Sequence, residues 1–598
     1  MTISVEDLFK IPLIYYVDLA SDGQVVLYSS NPAGIPQLYL LETKPNSKPK
    51  QVTSGNDATL IGFLSPTGDC ILYLQDKDGN ELHHLFLTSK KGEKPQRITK
   101  NAYRTSGGGW HPNGKEAMRS YGTKDSSGIE IFNVETGESF LLKEQEALLF
   151  GGKYSHDGKW IACTERGGGK DPKNLQVTVV NRNDPDDIIN YKFKDGSKEM
   201  QPSWSPDDKK LAFISNVKSR NQVVIQDFQG EEHFFLDLEE GEEASGAQEI
   251  GWASEGDKAY YVVSKHSRTH LYEHPFDGEK TALPFSEGTI QTFRISKDGK
   301  KVVAVHSSMA SPHSLYLYRT ESNTLTPLTT TEHKVNLAEL SKPKPIWYES
   351  FDGLKIHAWY LPAGRGKPPN PTVVWPHGGP WAQTSDAWSP YLQAISQSGF
   401  AVLAPNFRGS TGYGEEFRNM DIGDPGGGDL EDVVYGAKWL AKLAEVDKSK
   451  IAIIGGSYGG FMTLIALTKK PEVFASGVAL VPVADWVEEY HIEDAFMRSA
   501  DHELFGGTLE EKEELYRDRS PLTHVSKIKA PVLIIAGRHD SRCPIEPTEK
   551  FVEKLKEMRH PHEFRVQENE GHGFARVQAS IQEAKTAIEY LRKTLNVH

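Results

Sequence analysis

The chain is poor in cysteine, with three in 598 residues, at positions 70, 163 and 543. An odd number of scattered cysteines excludes a disulfide framework and fits a reducing, cytoplasmic compartment. Net positive charge is also lacking. Lys and Arg number 68 against 82 Asp and Glu, a formal charge of −14 at pH 7, which argues against nucleic acid as a main partner. No apolar run approaches the roughly 18 residues of a membrane span. Residues 1–10 lack the basic and apolar regions of a signal peptide. The expectation is a soluble cytoplasmic protein with neither a membrane nor a nucleic-acid partner. Its length calls for more than one domain.

A repeat fills the first half. Small polar turns recur as Ser21-Asp22-Gly23, Ser65-Pro66-Thr67-Gly68, His111-Pro112-Asn113-Gly114, Ser155-His156-Asp157-Gly158, Ser205-Pro206-Asp207-Asp208, Ser254-Glu255-Gly256 and Ser296-Lys297-Asp298-Gly299. The turns end at 23, 68, 114, 158, 208, 256 and 299, in steps of 43 to 50 residues. A run of β-formers follows each turn, as in 24–28, 70–74, 210–214 and 301–305, and a second run usually comes soon after. A period in the forties with several short strands per unit marks propeller blades, which bury their faces only by stacking on neighbours. Seven turns predict a seven-bladed β-propeller over residues 11–335. An array of two-sheet sandwiches is the plainer alternative, and the even spacing disfavours it. The Trp-Asp dipeptide of WD40 repeats is missing.

Other polar clusters read as ordinary structure. His83-His84 has no further ligands at metal spacing, and His502-Glu503 is followed by Gly506 where a zinc-protease helix needs a second histidine. Gly167-Gly168-Gly169 lacks the Gly-Lys-Ser/Thr of a phosphate loop and reads as a blade loop. No metal or organic cofactor is expected.

Residues 341–345, rich in Lys and Pro, look like a linker. Beyond it, over 336–598, apolar strands alternate with amphipathic helices, which predicts a mostly parallel α/β sheet. Strands are expected at 372–375, 401–404, 451–454, 477–481, 532–536 and 563–566, and helices at 429–443, 547–558 and 580–595. The run 450–460 holds an apolar strand, then Gly455-Gly456-Ser457-Tyr458-Gly459-Gly460, then an apolar helix. Strand, Gly-x-Ser-x-Gly turn and helix are the context of a nucleophile elbow, so Ser457 is the candidate nucleophile. A serine nucleophile needs a base and a carboxylate that orients it, here in chain order Ser, Asp, His. Asp540 follows the strand 532–536, and His572 sits in the loop Gly571-His572-Gly573 after the next strand. His539, beside Asp540, is the weaker candidate base. The oxyanion needs two donors. The backbone N–H of Tyr458 supplies one. A strand running into His377-Gly378-Gly379-Pro380 suggests the N–H of Gly379 for the other.

These motifs, with Asn406-Phe407-Arg408-Gly409-Ser410-Thr411-Gly412-Tyr413-Gly414 and Asp540-Ser541-Arg542-Cys543-Pro544, resemble the prolyl oligopeptidase family of serine peptidases. The likeness spans nearly the whole chain, a propeller followed by an α/β-hydrolase domain. The His-Gly-Gly-Pro loop resembles the acylaminoacyl peptidase branch. The propeller motif with which the dipeptidyl branch grips a free α-amine is missing, since Glu231-Glu232 and Glu242-Glu243 lack its aromatic context. The resemblance implies removal of an N-acylated residue from short peptides through an acyl-enzyme, with side esterase activity. It also implies an apolar pocket from Val483, Trp486, Phe496 and Met497 on and before a helix reaching residue 497. Arg542 would hold a substrate carbonyl. Residues 1–10 would take the place of the longer N-terminal helix that packs on the hydrolase domain in some relatives. Ordinary core packing is the alternative for each pocket residue. A carboxylesterase, a dipeptidyl peptidase or oligopeptidase of the same family, and a propeller scaffold with an idle hydrolase domain are the competing readings. The retained Ser457, Asp540 and His572 speak against the scaffold. The expected partners are short peptides and further copies of the chain in a homo-oligomer, the latter open to light scattering.

Overall fold

The computed structural model describes residues 3–597 apart from 168–170, 172, 247, 248 and 330–332. Gly168 and Gly169 of the glycine cluster lie outside the described residues. Seven consecutive antiparallel sheets span 14–51, 61–97, 104–145, 149–191, 199–235, 243–282 and 289–327, and they form a seven-bladed propeller. Six have four strands. In the sixth blade both Glu243–Ala244 and Gly251–Trp252 pair with Lys258–Lys265, which makes five.

The repeating turn has a conformational cause. Residues 23, 68, 114, 158, 208, 256 and 299 all have positive φ, between 58° and 76°. Glycine adopts this left-handed conformation without a Cβ penalty, and Asp208 is the single exception. The recurring serine also has a role. Its hydroxyl accepts the N–H five residues on, from Cys70, Trp160, Lys210 and Lys301 at 2.8 to 3.1 Å. Each blade is built from one contiguous stretch, so no exchanged strand closes the ring. Closure rests on Lys297 N–H donating to Ser21 O at 3.1 Å and Lys301 Nζ to Gly23 O at 2.8 Å. Val17, Val26 and Tyr28 of the first blade also pack on Val303, Val305 and Leu315 of the seventh.

The C-terminal half holds one eight-stranded sheet. Its strands are β1 (Lys344–Glu349), β2 (Lys355–Leu361), β3 (Asn370–Val374), β4 (Ala401–Asn406), β5 (Val446–Gly456), β6 (Ser476–Leu480), β7 (Val532–Gly537) and β8 (His562–Gln567). Their order is β1-β2-β4-β3-β5-β6-β7-β8. The pairs β1/β2 and β2/β4 are antiparallel and the rest parallel. Parallel strands covered on both faces read as continuous apolar runs, as 451–454 and 532–536 do. The region expected as linker enters the sheet two residues before it ends, because Lys344 and Pro345 open β1. That edge strand escapes a hydrophobicity pattern, since one side of it faces solvent.

The short helix α1 (Val5–Phe9) buries Leu8 and Phe9 in one apolar cluster. The cluster also takes Trp388 and residues of α2 (Pro390–Gln397) and of the C-terminal helix, Val577–Thr594. The N-terminal segment therefore packs on the hydrolase domain. On the other side of the sheet, α3 (Gly428–Leu440) and α4 (Tyr458–Lys469) pack together in a second cluster. Among the described residues no helix is long and apolar enough to cross a membrane.

Candidate active site

Ser457 joins β5 to α4 at φ 58° and ψ −124°, a strained conformation for a residue with a Cβ. Three of the glycines around it, Gly455, Gly459 and Gly460, are there for lack of space. A Cβ on Gly460 would come within 2.7 Å of Leu480 O, and one on Gly455 or Gly459 would collide with backbone carbonyl groups. Ser457 N–H donates to Leu480 O at 3.0 Å, which pins the corner to β6. The serine stays half-exposed. Tyr458 opens the helix, so its N–H has no intrahelical acceptor. Its side chain is buried between Phe407 and Phe461, and its hydroxyl donates to Asp429 at 2.6 Å. Burial pushes the Asp429 carboxyl up to about 6, against the pull of that hydrogen bond.

The loop after β3 lies against the nucleophile. A Cβ on Gly378 would stand 3.3 Å from the Ser457 Cβ, and Gly379 has φ 131°. His377 holds this loop. Its ring stacks on Phe407 at 4.3 Å and bridges Gly378 O at 2.7 Å and Ser410 Oγ at 2.8 Å. Burial lowers the imidazole to about 4, so it is neutral at pH 7.

Asp540 follows β7 and is almost wholly buried. His572 Nδ1 donates to it at 3.0 and 2.9 Å to the two oxygens. The N–H groups of Arg542 and Cys543 each donate to Asp540 Oδ1 at 2.9 Å and fix its plane. The Cys543 thiol lies beside the Ser457 hydroxyl, and burial holds its pKa well above the usual thiol range. The structure thus brings the Asp540 loop, to which His572 is hydrogen-bonded, beside the nucleophile elbow, while the main-chain N–H of His539 goes to Glu570 O.

The expected pocket residues divide. Val483 and Trp486 are buried in one cluster with Tyr458, Phe461 and Cys543. The Trp486 ring meets Phe461 and Phe505 edge-on, both at 5.3 Å. Phe496 and Met497 are not part of that cluster, and Phe496 is exposed. The helix read as running to residue 497 is two helices. The first, α5 (Trp486–Ile492), ends before Glu493. The second, α6 (Ala495–Phe505), starts afresh with Asp494 capping Met497 N–H at 3.0 Å.

Sequence reasoning missed the propeller's share of the site. Arg542 donates from Nε and Nη2 to Glu81, in the loop between the second and third strands of the second blade. Arg104 of the third blade reaches the same carboxylate at 2.8 Å and also pairs with Asp494. Burial opposes ionisation of Glu81, but Arg542 and Arg104 outweigh it and hold the carboxyl at about 2. No sequence signal joins residues 461 positions apart. Farther from the nucleophile, Lys198 of the propeller and Arg418 both pair with Glu503 of α6, at 2.5 and 2.6 Å, all three buried.

Residues 386–598 match the model of the prolyl oligopeptidase family. In sequence the chain is 26% identical to dipeptidyl aminopeptidase BIII of Pseudoxanthomonas mexicana, over 95% of this chain and 85% of that protein. It is 29% identical to the human acylamino-acid-releasing enzyme, over 41% of this chain and 34% of that one. In structure it is similar to a Mycobacterium tuberculosis puromycin-hydrolyzing peptidase, with TM-score 0.89 and 20% identity, over 100% of this chain and 96% of that chain. That likeness carries the two-domain fold. Over residues 386–598 the chain carries a prolyl oligopeptidase family domain.

Proposed function

We propose that Ser457, His572 and Asp540 form a catalytic triad that removes an N-acylated residue or short segment from short peptides. Ser457 Oγ attacks the scissile carbonyl while His572 takes its proton. Asp540 holds the Nδ1 proton in place and stabilises the imidazolium. The oxyanion accepts the N–H groups of Tyr458 and Gly379. His572 then protonates the leaving amine, and water resolves the acyl-enzyme by the reverse route. Val483 and Trp486 wall the pocket for the residue before the cut bond, with Phe496 and Met497 nearer its rim. Arg542 steadies the mouth of the site through Glu81. The observation that carries this reading is the strained Ser457 corner with the Asp540–His572 pair beside it.

The preference for a blocked amine is supported at Glu81. An ammonium group needs an uncommitted carboxylate, and two arginines already neutralise this one. A second reading, release of dipeptides from a free N-terminus, is supported by the whole-chain similarity to a dipeptidyl aminopeptidase. A cytoplasmic setting fits the three free thiols. The deciding experiment compares rates on an N-acetyl aminoacyl anilide, the same anilide with a free amine, a dipeptidyl anilide and a medium-chain nitrophenyl ester. Each anilide is made with leucine and with lysine before the cut bond. Faster turnover of acetylated anilides supports the proposal. Faster turnover of dipeptidyl anilides replaces it with the second reading, and ester cleavage alone replaces it with a carboxylesterase.

A further inference from the structure

The wall of the pocket proposed beside Ser457 carries an acid. Trp486 and Glu489 lie three residues apart on α5 and so share a face. Glu489 is 0% exposed, and neither of its carboxylate oxygens has a partner at hydrogen-bond geometry. The Ala484 N–H lies near it and mildly favours its charged form. Behind it sit Glu493 and Asp501, also buried, each with one oxygen unpartnered. Among the described residues no ion pair reaches any of the three. Arg498, the cation nearest Glu493, donates instead to the main-chain carbonyls of Glu493 and Lys124. Cys543 and Asp540 both lie within the field of Glu489, and Cys543 lies beside the Ser457 hydroxyl.

A buried carboxylate without a partner is costly, and burial alone keeps Glu489 well above the ordinary carboxylate range. Neither of its neighbouring acids reaches it at hydrogen-bond geometry. A metal ion is a poor explanation, since no group of three or more potential ligands among the described residues has a geometry that could hold one. Capping of the helix is no explanation either, because Asp485 does that through Val487 N–H at 3.1 Å. What remains is a partner that arrives with the substrate. On the serine peptidase reading of Ser457, on which this inference rests, we propose that Glu489 selects a lysine or arginine side chain before the scissile bond. The aliphatic stem would lie along Val483 and Trp486 and the cationic head would meet Glu489. The pocket is then apolar along its walls and acidic at its base.

The test is kcat/KM on N-acetyl-lysyl, N-acetyl-arginyl and N-acetyl-norleucyl anilides, norleucine matching the lysine stem without its ammonium. Free-amine lysyl and norleucyl anilides run beside them. Wild type is expected to favour lysyl over norleucyl by about 10- to 100-fold, the range of one charge-assisted hydrogen bond. Glu489→Gln, nearly isosteric, is expected to bring that ratio close to one. Wild type that favours norleucyl overturns the proposal, whatever the variant does. So does a Glu489→Gln variant whose lysyl-to-norleucyl ratio stays at the wild-type value. A loss in that variant confined to free-amine substrates, whichever side chain they carry, also overturns it, because the acid then holds the α-amine. A fluorophosphonate probe reports separately on the nucleophile. Labelling of wild type but not of Ser457→Ala keeps the peptidase reading standing whichever way the side-chain comparison falls. Labelling of Glu489→Gln shows that its elbow is folded.

Discussion

Arg542, two residues after Asp540, grips Glu81 of the second propeller blade with both Nε and Nη2. The loop that positions the imidazole of His572 is thereby fastened to the propeller. The relative placement of the two halves and the alignment of the site are one mechanical problem.

A pH dependence follows from this pair. The Glu81 carboxyl is held at about 2 in the folded chain, below its ordinary 4.5. A lowered folded pKa contributes stability that is complete above the ordinary value and is lost as pH falls through the folded one. Wild type should therefore lose unfolding temperature between pH 4.5 and 2 by a component that Glu81→Gln lacks. Melting curves of the two proteins at half-unit pH steps should converge towards pH 2. Parallel curves over that range would mean that the pair does not contribute.

Removal of the nucleophile or of its orienting carboxylate gives the largest effects on rate. Ser457→Ala should lower kcat by about 10⁴- to 10⁶-fold and abolish fluorophosphonate labelling. Asp540→Asn should cost on the order of 10⁴-fold, because the amide favours the wrong imidazole tautomer. Both variants should melt near wild type. Residual activity of Asp540→Asn within tenfold of wild type would remove Asp540 from the triad.

The seven blades were legible because a backbone requirement repeats in them. Each turn needs a left-handed residue, and in four of the seven a serine accepts a nearby N–H, so composition follows geometry. Asp208, the one non-glycine, still obeys it at φ 58°. The elbow was legible for the same reason, since only glycine fits at positions 455, 459 and 460. Legibility failed where one face of an element is wet, as in β1, and where a side chain's partner is remote in sequence, as with Glu81 and Arg542. It also failed inside α5. In Trp486-Val487-Glu488-Glu489 the only pointer to the buried glutamate is the three-residue spacing from Trp486, which favours Glu489 over Glu488. The helix expected to reach residue 497 was misjudged because its break at Asp494 is made by a cap, and a cap in an acidic run looks like any other acid.

Glu503 is the point where two buried cations, Lys198 of the propeller and Arg418, meet one carboxylate. Burial lowers Lys198 to about 8 even with that partner. Glu503→Gln leaves both cations uncompensated, which typically costs about 3 to 5 kcal/mol. The expected result is a lower urea midpoint and earlier proteolysis at the junction of the two halves. The Lys198→Met/Glu503→Gln pair should recover part of the loss, and an unchanged midpoint in Glu503→Gln would show that the contact is dispensable.

Tyr458 offers a test of the pillar beneath the elbow, independent of its backbone N–H. Its hydroxyl donates to Asp429, whose other hydrogen bonds come from the N–H groups of Gly426 at 3.1 Å and Leu430 at 2.7 Å. Asp429 titrates at about 6 in the fold against an ordinary 3.8. A raised carboxyl pKa means that the folded chain binds the proton more tightly, so stability falls as pH rises from about 4 through 6. Tyr458→Phe removes a donor that favours the ionised form. It should therefore cost about 1 to 3 kcal/mol where Asp429 is charged, and less where it is protonated. The difference in melting temperature between wild type and Tyr458→Phe should widen from pH 5 to pH 8. A constant difference across that span would mean that the hydroxyl contributes packing alone, and that Asp429 holds its proton through the whole range.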